Sequence, residues 1–249
     1  MKRGRAILYL FVFTIVSISI ALVIFVKEDI SGFNYLPSYD PGALVTHNYY
    51  TLSYNEQHEQ ANWVAYMVDK KRLISVAERT DRFRSDDSIS TGSAASADYY
   101  RSGFDRGHLA PAADMSFSDL AMEESFLYSN ISPQLPGFNR GIWKKLEEEV
   151  RSEVLSSDSI YVFTGPVFSL SGESIGDNMV TIPTGFYKIV IGFNRKDIRV
   201  KCWLIPHHEN LDQTGSYRVS VDYIESATGV DFFYYLPERL ESRLEKQRY

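Results

Sequence analysis

The sequence predicts an α+β fold around a central antiparallel sheet, preceded by one N-terminal transmembrane helix. Three observations carry that expectation. Stretches of strand-like alternation are interleaved with helix-like stretches without βαβ regularity, which disfavours a parallel sheet. The 249 residues are 44% hydrophobic and 23% charged with 15 Gly and 9 Pro, an ordinary globular composition long enough for one large domain or two small ones. Finally, Ala6 to Val26 carries no charge and is rich in Ile, Val, Leu and Phe.

Taken in chain order, the apolar run comes first. As a helix it would rise about 31 Å, the thickness of a bilayer core. Lys2, Arg3 and Arg5 precede it, while Lys27, Glu28 and Asp29 follow it. The positive-inside rule therefore puts residues 1–5 in the cytoplasm, residues 6–26 across the membrane and the rest outside the cytoplasm, periplasmic or extracellular in a bacterium. A cleaved signal peptide is the alternative. Against it stand the length of the run and its end, Val23-Ile24-Phe25-Val26, which lacks a small-x-small cleavage pattern. Residues 27–45, with Pro37 and Pro41, are expected to be a tether, and residues 46–249 the folded domain.

Within that domain, Asn62 to Val68 and Arg72 to Ala77 alternate like paired strands around a polar turn at Asp69 to Lys71. Arg84 to Ala97, rich in Ser and Asp, suits a surface loop. Asp119 to Glu124 suits a short helix, and Asn139 to about Ser156 a long one. Strands are expected at Ser159 to Phe168, Gly185 to Phe193 and Ile198 to Ile205, the last two joined at Asn194 to Asp197. Ser220 is a natural N-cap for a helix ending before Gly229.

Charge and cysteine usage narrow the chemistry. A formal net charge of −6 argues against broad electrostatic attraction to polyanions, so such chemistry needs a local basic patch or a metal. One cysteine, Cys202, excludes an intrachain disulfide and a thiolate zinc site, and its apolar neighbours mark it as a buried small residue. His207-His208-Glu209 offers ligand types, but adjacent residues at a strand end face opposite ways.

The chemically richest stretch is Asp105-Arg106-Gly107-His108, since His is the commonest general base near neutral pH. About twenty residues on comes Asn130-Ile131-Ser132-Pro133-Gln134, then Asn139-Arg140-Gly141-Ile142-Trp143, Leu146-Glu147 and Arg151. On a uniform helix starting at Asn139, Ile142, Leu146, Val150 and Val154 form the buried stripe, and Glu147 lies about 80° from Asn139. Glu147 and Arg151 are spaced i, i+4 and would meet on one flank. Position alone suits Asn139 to an N-cap.

Together these two motifs resemble the DNA/RNA non-specific endonucleases, the sugar-nonspecific branch of the ββα-metal (His-Me finger) nucleases. The resemblance runs from about Thr46 to Leu236. It implies the ββα-metal fold and a phosphodiester hydrolase acting on DNA and RNA with one hydrated Mg2+, or Mn2+ or another divalent cation in its place. It implies His108 as general base, Asn139 as the direct metal ligand, and Glu147 and Arg151 as holding metal waters and phosphate. Asn130 and Arg106 match further active-site residues. An upstream phosphate-binding arginine falls among Arg79, Arg82 and Arg84, of which Arg79 is favoured. A homodimer and a protein inhibitor are left open as partners. A catalytically inactive nuclease fold that binds nucleic acid, or an envelope module, is the alternative function. All of His108, Asn139, Glu147 and Arg151 are present, which favours the enzyme.

Overall fold

The computed structural model describes residues 36–37, 42–169, 172–194 and 197–246. The candidate transmembrane segment at 6–26 and most of the tether lie outside these residues. Among the described residues no helix is long and apolar enough to cross a membrane.

The chain runs through β1 (Ala43–Thr46), β2 (Tyr50–Asn55), β3 (Gln60–Asp69), α1 (Ser96–Tyr99), β4 (Asp105–His108), α2 (Asp119–Ser125) and β5 (Ile131–Gln134). Next come α3 (Pro136–Phe138), a π-helical turn at Asn139–Trp143, α4 (Lys144–Glu153), β6 (Ser159–Val167), β7 (Ser174–Ile175) and β8 (Val180–Thr181). The chain continues with β9 (Gly185–Asn194), β10 (Asp197–Pro206), β11 (Arg218–Val219), α5 (Val221–Thr228) and α6 (Glu238–Glu245).

Seven strands form the main sheet in the order β1-β2-β3-β6-β9-β10-β11. Every neighbouring pair in it is antiparallel. The expected α+β class with a central antiparallel sheet is therefore what the chain adopts. Alternation along β9 shows how the sheet separates two cores. Phe186 and Val190 pack on one face with Trp143, Leu146, Val150 and Val154 of the helix; Tyr187, Ile189 and Ile191 pack on the other with Val221, Ile224 and Leu244 of α5 and α6. Burying each large apolar side chain of the α4 stripe stabilises the fold by about 1.5–3 kcal/mol, and the Ile142, Leu146, Val150, Val154 stripe is buried as its spacing predicts.

The helix at Val221–Thr228 also follows its sequence signals. Ser220 Oγ accepts from the Tyr223 N–H at 3.3 Å, and Gly229 closes the helix with φ +72°, the left-handed conformation a glycine adopts without cost.

Three expectations are corrected. Arg72 to Ala77 is a loop, and the strand partners of β3 are β2 and β6. Residues assigned to the tether belong to the fold: Ala43–Thr46 pair residue for residue with β2, and Leu36 packs on the second core. The long helix begins at Pro136 rather than at Asn139, with proline in its first turn, where a missing N–H costs nothing.

Candidate active site

β4 and β5 form a separate two-stranded antiparallel ribbon, pairing His108 with Ile131 and Asp105 with Gln134. Side chains tie this ribbon to the main sheet and helix. Ser132 Oγ donates to Gln60 Oε1 at 2.6 Å, and Gln60 Nε2 donates to the Thr181 carbonyl at 2.6 Å. Trp143 Nε1 donates to the His108 carbonyl at 3.4 Å. Ribbon plus following helix is the ββα unit that the resemblance implied.

Strand alternation sorts the signature residues. Arg106 and His108 share one face and meet the same ring: the Arg106 guanidinium sits 4.2 Å from the Phe83 centroid and the His108 ring 5.6 Å from it. Phe126 closes the other side of His108, edge to face at 4.9 Å. Phe83 reaches this position because Arg84 bridges Leu127 in parallel, with the Arg84 N–H donating to the Phe126 carbonyl at 3.2 Å. The neighbouring residue Gly107 is required by packing, since a Cβ there would lie 2.2 Å from Gln134 Cδ, a side chain with no exposed surface.

His108 is buried, and its Nε2 has no hydrogen-bond partner among the described residues. Burial pushes its pKa down to about 3, helped by the cations of Arg79 and Arg106 and opposed by Asp81. The imidazole is thus neutral at physiological pH, the form a base requires. Among the described residues, the rings of Phe83 and Phe126 hold its plane.

Asn139 is not an N-cap. Its own N–H donates to the Leu135 carbonyl at 2.9 Å, one turn into the helix. Its side-chain Nδ2 donates to Asp105 Oδ2 at 2.9 Å, which fixes which way round the amide lies and turns its carbonyl oxygen away from the carboxylate. Asp105 also grips Arg140, accepting from Nε at 2.8 Å and from the terminal nitrogen at 2.6 Å. These contacts lower the Asp105 pKa against the opposing effect of burial.

The π turn changes the helix phase. Within it Gly141 leaves helical geometry at φ −101°, ψ −107°, and the helix is kinked there. The ~80° that a uniform helix leaves between Asn139 and Glu147 therefore does not carry over to this segment.

Glu147 is half-buried, and burial pushes its carboxyl above the ordinary range; Lys188 pulls it back, Asp114 pushes it further, and Arg151 and Arg79 pull it down. Arg151 does not pair with Glu147 as the i, i+4 spacing suggested. Its Nε donates to Asp114 Oδ1 at 2.7 Å, and the other oxygen of Asp114 accepts from the Tyr66 hydroxyl at 3.1 Å. A buried aspartate is the stronger competitor because it has no water to satisfy it.

Asn130 is wholly buried and engaged with backbone. Its Oδ1 accepts from the Ala110 N–H at 2.8 Å, while Nδ2 donates to the carbonyls of Ala110 and Ser125 at 2.9 Å each. It acts on the site by fixing the chain immediately after His108. Both hydrogens of its amide nitrogen and one lone pair of its oxygen are thus spent on the backbone.

Arg79 lines a cleft of about 560 Å³ together with Arg101, Arg106, Arg140, Asn139 and Asp105, while Arg82 and Arg84 do not. Four arginines against two aspartates, Asp81 and Asp105, give the cleft the local positive excess that a net acidic chain needs to meet a polyanion.

The His207 region is structural. Its Nε2 accepts from the Leu135 N–H at 2.7 Å and its Nδ1 donates to the Pro183 carbonyl at 2.9 Å, leaving no lone pair for a metal. Cys202 is buried, and burial pushes its thiol pKa up.

Sequence reasoning missed Asp105, Asp114, Phe83, Phe126 and Lys188. Lys188 is fully buried on the site face of β9, its Nζ 3.2 Å from Thr164 Oγ1 and 4.7 Å from the Trp143 ring centroid. A lysine inside the Phe-Tyr-Lys-Ile-Val-Ile-Gly run was the visible signal, because an apolar strand seldom carries a charge without a use.

A buried neutral imidazole packed on Phe83, which lines an arginine-rich cleft together with Arg106 and the oriented amide of Asn139, suits a hydrolase acting on an anionic polymer. The comparisons make the class specific: the sequence model described as DNA/RNA non-specific endonuclease matches residues 34–239, and the chain belongs to that family. It is accordingly an enzyme, an endonuclease of the non-specific kind. It is 34% identical over 216 residues to a nuclease of Nostoc sp. (strain PCC 7120), covering 82% of this chain and 78% of that one. It is 35% identical over 198 residues to human mitochondrial endonuclease G, covering 74% and 67% respectively. The fold is similar to that in the crystal structure of the EndoG/EndoGI complex, with a TM-score of 0.75 and 29% identity over 82% of this chain and 90% of that one.

Proposed function

We propose that the chain hydrolyses phosphodiester bonds of DNA and RNA without strong sequence preference, using His108 as general base beside one hydrated divalent cation, Mg2+ in the first instance. The observation that supports this best is the buried, neutral His108 packed on the Phe83 ring that it shares with Arg106, Phe83 and Arg106 both lining a cleft with Arg79 and Asn139. Because Nε2 is sealed inside the protein, the nitrogen left to take a proton from water is Nδ1. Nε2 then carries the hydrogen of the neutral tautomer. Arg106 and Arg79 bind phosphate oxygens, which lie on the backbone and carry no sequence information. That accounts for low specificity.

The donor set fits a hard divalent cation. Asn139 supplies an amide oxygen already turned outward by Asp105, and Glu147 supplies a carboxylate for water molecules around the ion. Such an ion, when bound, neutralises charge at the phosphate and stabilises the leaving oxygen. Incubating the purified protein with plasmid DNA and with RNA, with and without EDTA, tests the activity and its metal requirement. Intact substrate in every lane would overturn both.

The apolar run at 6–26 and the charges flanking it support a single-pass anchor with the domain outside the cytoplasm. Protease added to spheroplasts should remove the domain. A protected domain refutes the topology, and a secreted product starting near Lys27 refutes only the anchor. A second copy of the chain and a protein inhibitor remain as partners this proposal admits, the latter because the similar EndoG is in a complex with EndoGI.

A further inference from the structure

One wall of the cleft is built by Ser96, Tyr99, Tyr100, Arg101 and Phe104. Of these, Tyr100 is 71% exposed, more than any other large apolar side chain among the described residues. The Arg101 guanidinium lies 5.2 Å from its ring centroid. Arg79 and Arg140 in the same cleft are paired with aspartates, whereas Arg101 has no acidic partner among the described residues. Its charge is therefore free for a ligand, and its flat face already rests on an aromatic ring.

The segment that carries this pair is held firmly. Asp98, buried beneath it, accepts from the N–H groups of Ala95 and Asn178 at 2.8 and 3.0 Å and from Asn178 Nδ2 at 2.9 Å. Tyr99 turns inward and stacks on Tyr128 at 5.4 Å. Ser102 Oγ donates to the Tyr99 carbonyl at 3.0 Å and accepts from the Phe104 N–H at 3.2 Å. Arg101 itself has φ +56°, a left-handed conformation that a non-glycine residue adopts only where its surroundings hold it. A wall pinned at this density presents the exposed ring in one orientation, so stacking on it loses little further freedom.

We propose that Tyr100 and Arg101 form a stacking subsite for an unpaired nucleobase of the strand lying in the cleft. The inference rests on the nucleic-acid substrate proposed above. Bases of any identity have a π-face, so the subsite adds affinity without reading sequence. Bases inside a duplex are not available to it. Tyr100 is thus a residue that favours single-stranded over double-stranded substrate, acting on binding rather than on the reacting atoms.

Two measurements on the full chain test this separately from the catalytic proposal. In the first, Tyr100→Ala should raise KM for a single-stranded oligonucleotide by about tenfold, the loss of one base stack, with kcat within about twofold. Tyr100→Phe should behave as wild type, and an oligonucleotide of abasic residues should show no difference between variants. An equal rise on the abasic strand would mean contact with backbone and would overturn the subsite, as would unchanged KM. In the second, performed in EDTA, a 2-aminopurine base in the strand should change fluorescence on binding wild type and Tyr100→Phe but not Tyr100→Ala. A signal independent of residue 100 overturns the subsite whatever the cleavage assay shows. Tyr100-dependent signal without any cleavage overturns the catalytic proposal alone.

Discussion

Replacing Asp105 with Ala removes no group proposed to touch substrate, yet it should raise the Mg2+ concentration needed for half-maximal activity. Asp105 Oδ2 accepts from Asn139 Nδ2 at 2.9 Å and so orders the amide. A hydrogen bond to a charged acceptor contributes about 1.5–3 kcal/mol. If the amide must be held in one of its two orientations by other means, that loss corresponds to roughly 10–150-fold in cation affinity, in line with the 10–100-fold typical of contacts that orient metal ligands. The assay is initial cleavage rate of a fluorescent oligonucleotide across Mg2+ concentrations, with circular dichroism to confirm folding. Arg140→Ala is the control, because it breaks the exposed pair with Asp105 and leaves the Asn139 contact in place. Half-saturation unchanged in Asp105→Ala, or raised as much in Arg140→Ala, would refute the orienting role.

His108→Ala should lower turnover by about 10² to 10⁴-fold while nucleic-acid binding persists, read by single-turnover cleavage and fluorescence anisotropy; a folded variant with near-wild-type turnover contradicts the base assignment. Because the folded pKa of His108 is pushed down to about 3, the unfolded chain takes the proton first as pH falls below about 6.5. Stability should therefore drop from about pH 6.5 towards 3 by up to about 1.4 kcal/mol per pH unit from this residue. Urea unfolding of wild type and His108→Gln at pH 7 and 5 measures it, and parallel losses in both would remove His108 as the cause. Gly107→Ala forces a methyl against Gln134 and should cost about 1–3 kcal/mol in thermal unfolding along with most activity; a neutral outcome would mean that the ribbon yields easily there.

Much of the framework was legible because it depends on local pattern. The β9–β10 hairpin, the Ser220-to-Gly229 helix and the stripe from Ile142 to Val154 are written in alternation, caps and helical spacing. Arg72 to Ala77 alternates as well, yet β3 pairs with Tyr50–Asn55, whose Leu52 and Tyr54 are fully buried. Partner choice followed that burial, which alternation alone does not rank. The π turn was invisible because periodicity assumes a constant pitch, although Pro136 did announce an earlier helix start. At the site, residue types were readable but their pairings were not. Arg151 meets Asp114 from 37 positions away, and Asp105 meets Asn139 from 34 positions away.

Among the described residues, the ribbon of β4 and β5 has no ladder connecting it to the seven-stranded sheet. Four consecutive residues of β4 carry both the imidazole and, through Asp105, the hold on the amide carbonyl. The spacing between His108 and Asn139 is thus set within one short segment and a handful of side chains, among them Gln60, Ser132, Asn130 and Trp143. The large sheet behaves as a chassis. Its edges can lengthen or shorten while the reactive centre keeps its dimensions, so a transplant of that centre needs to preserve those side-chain ties rather than the outline of the sheet.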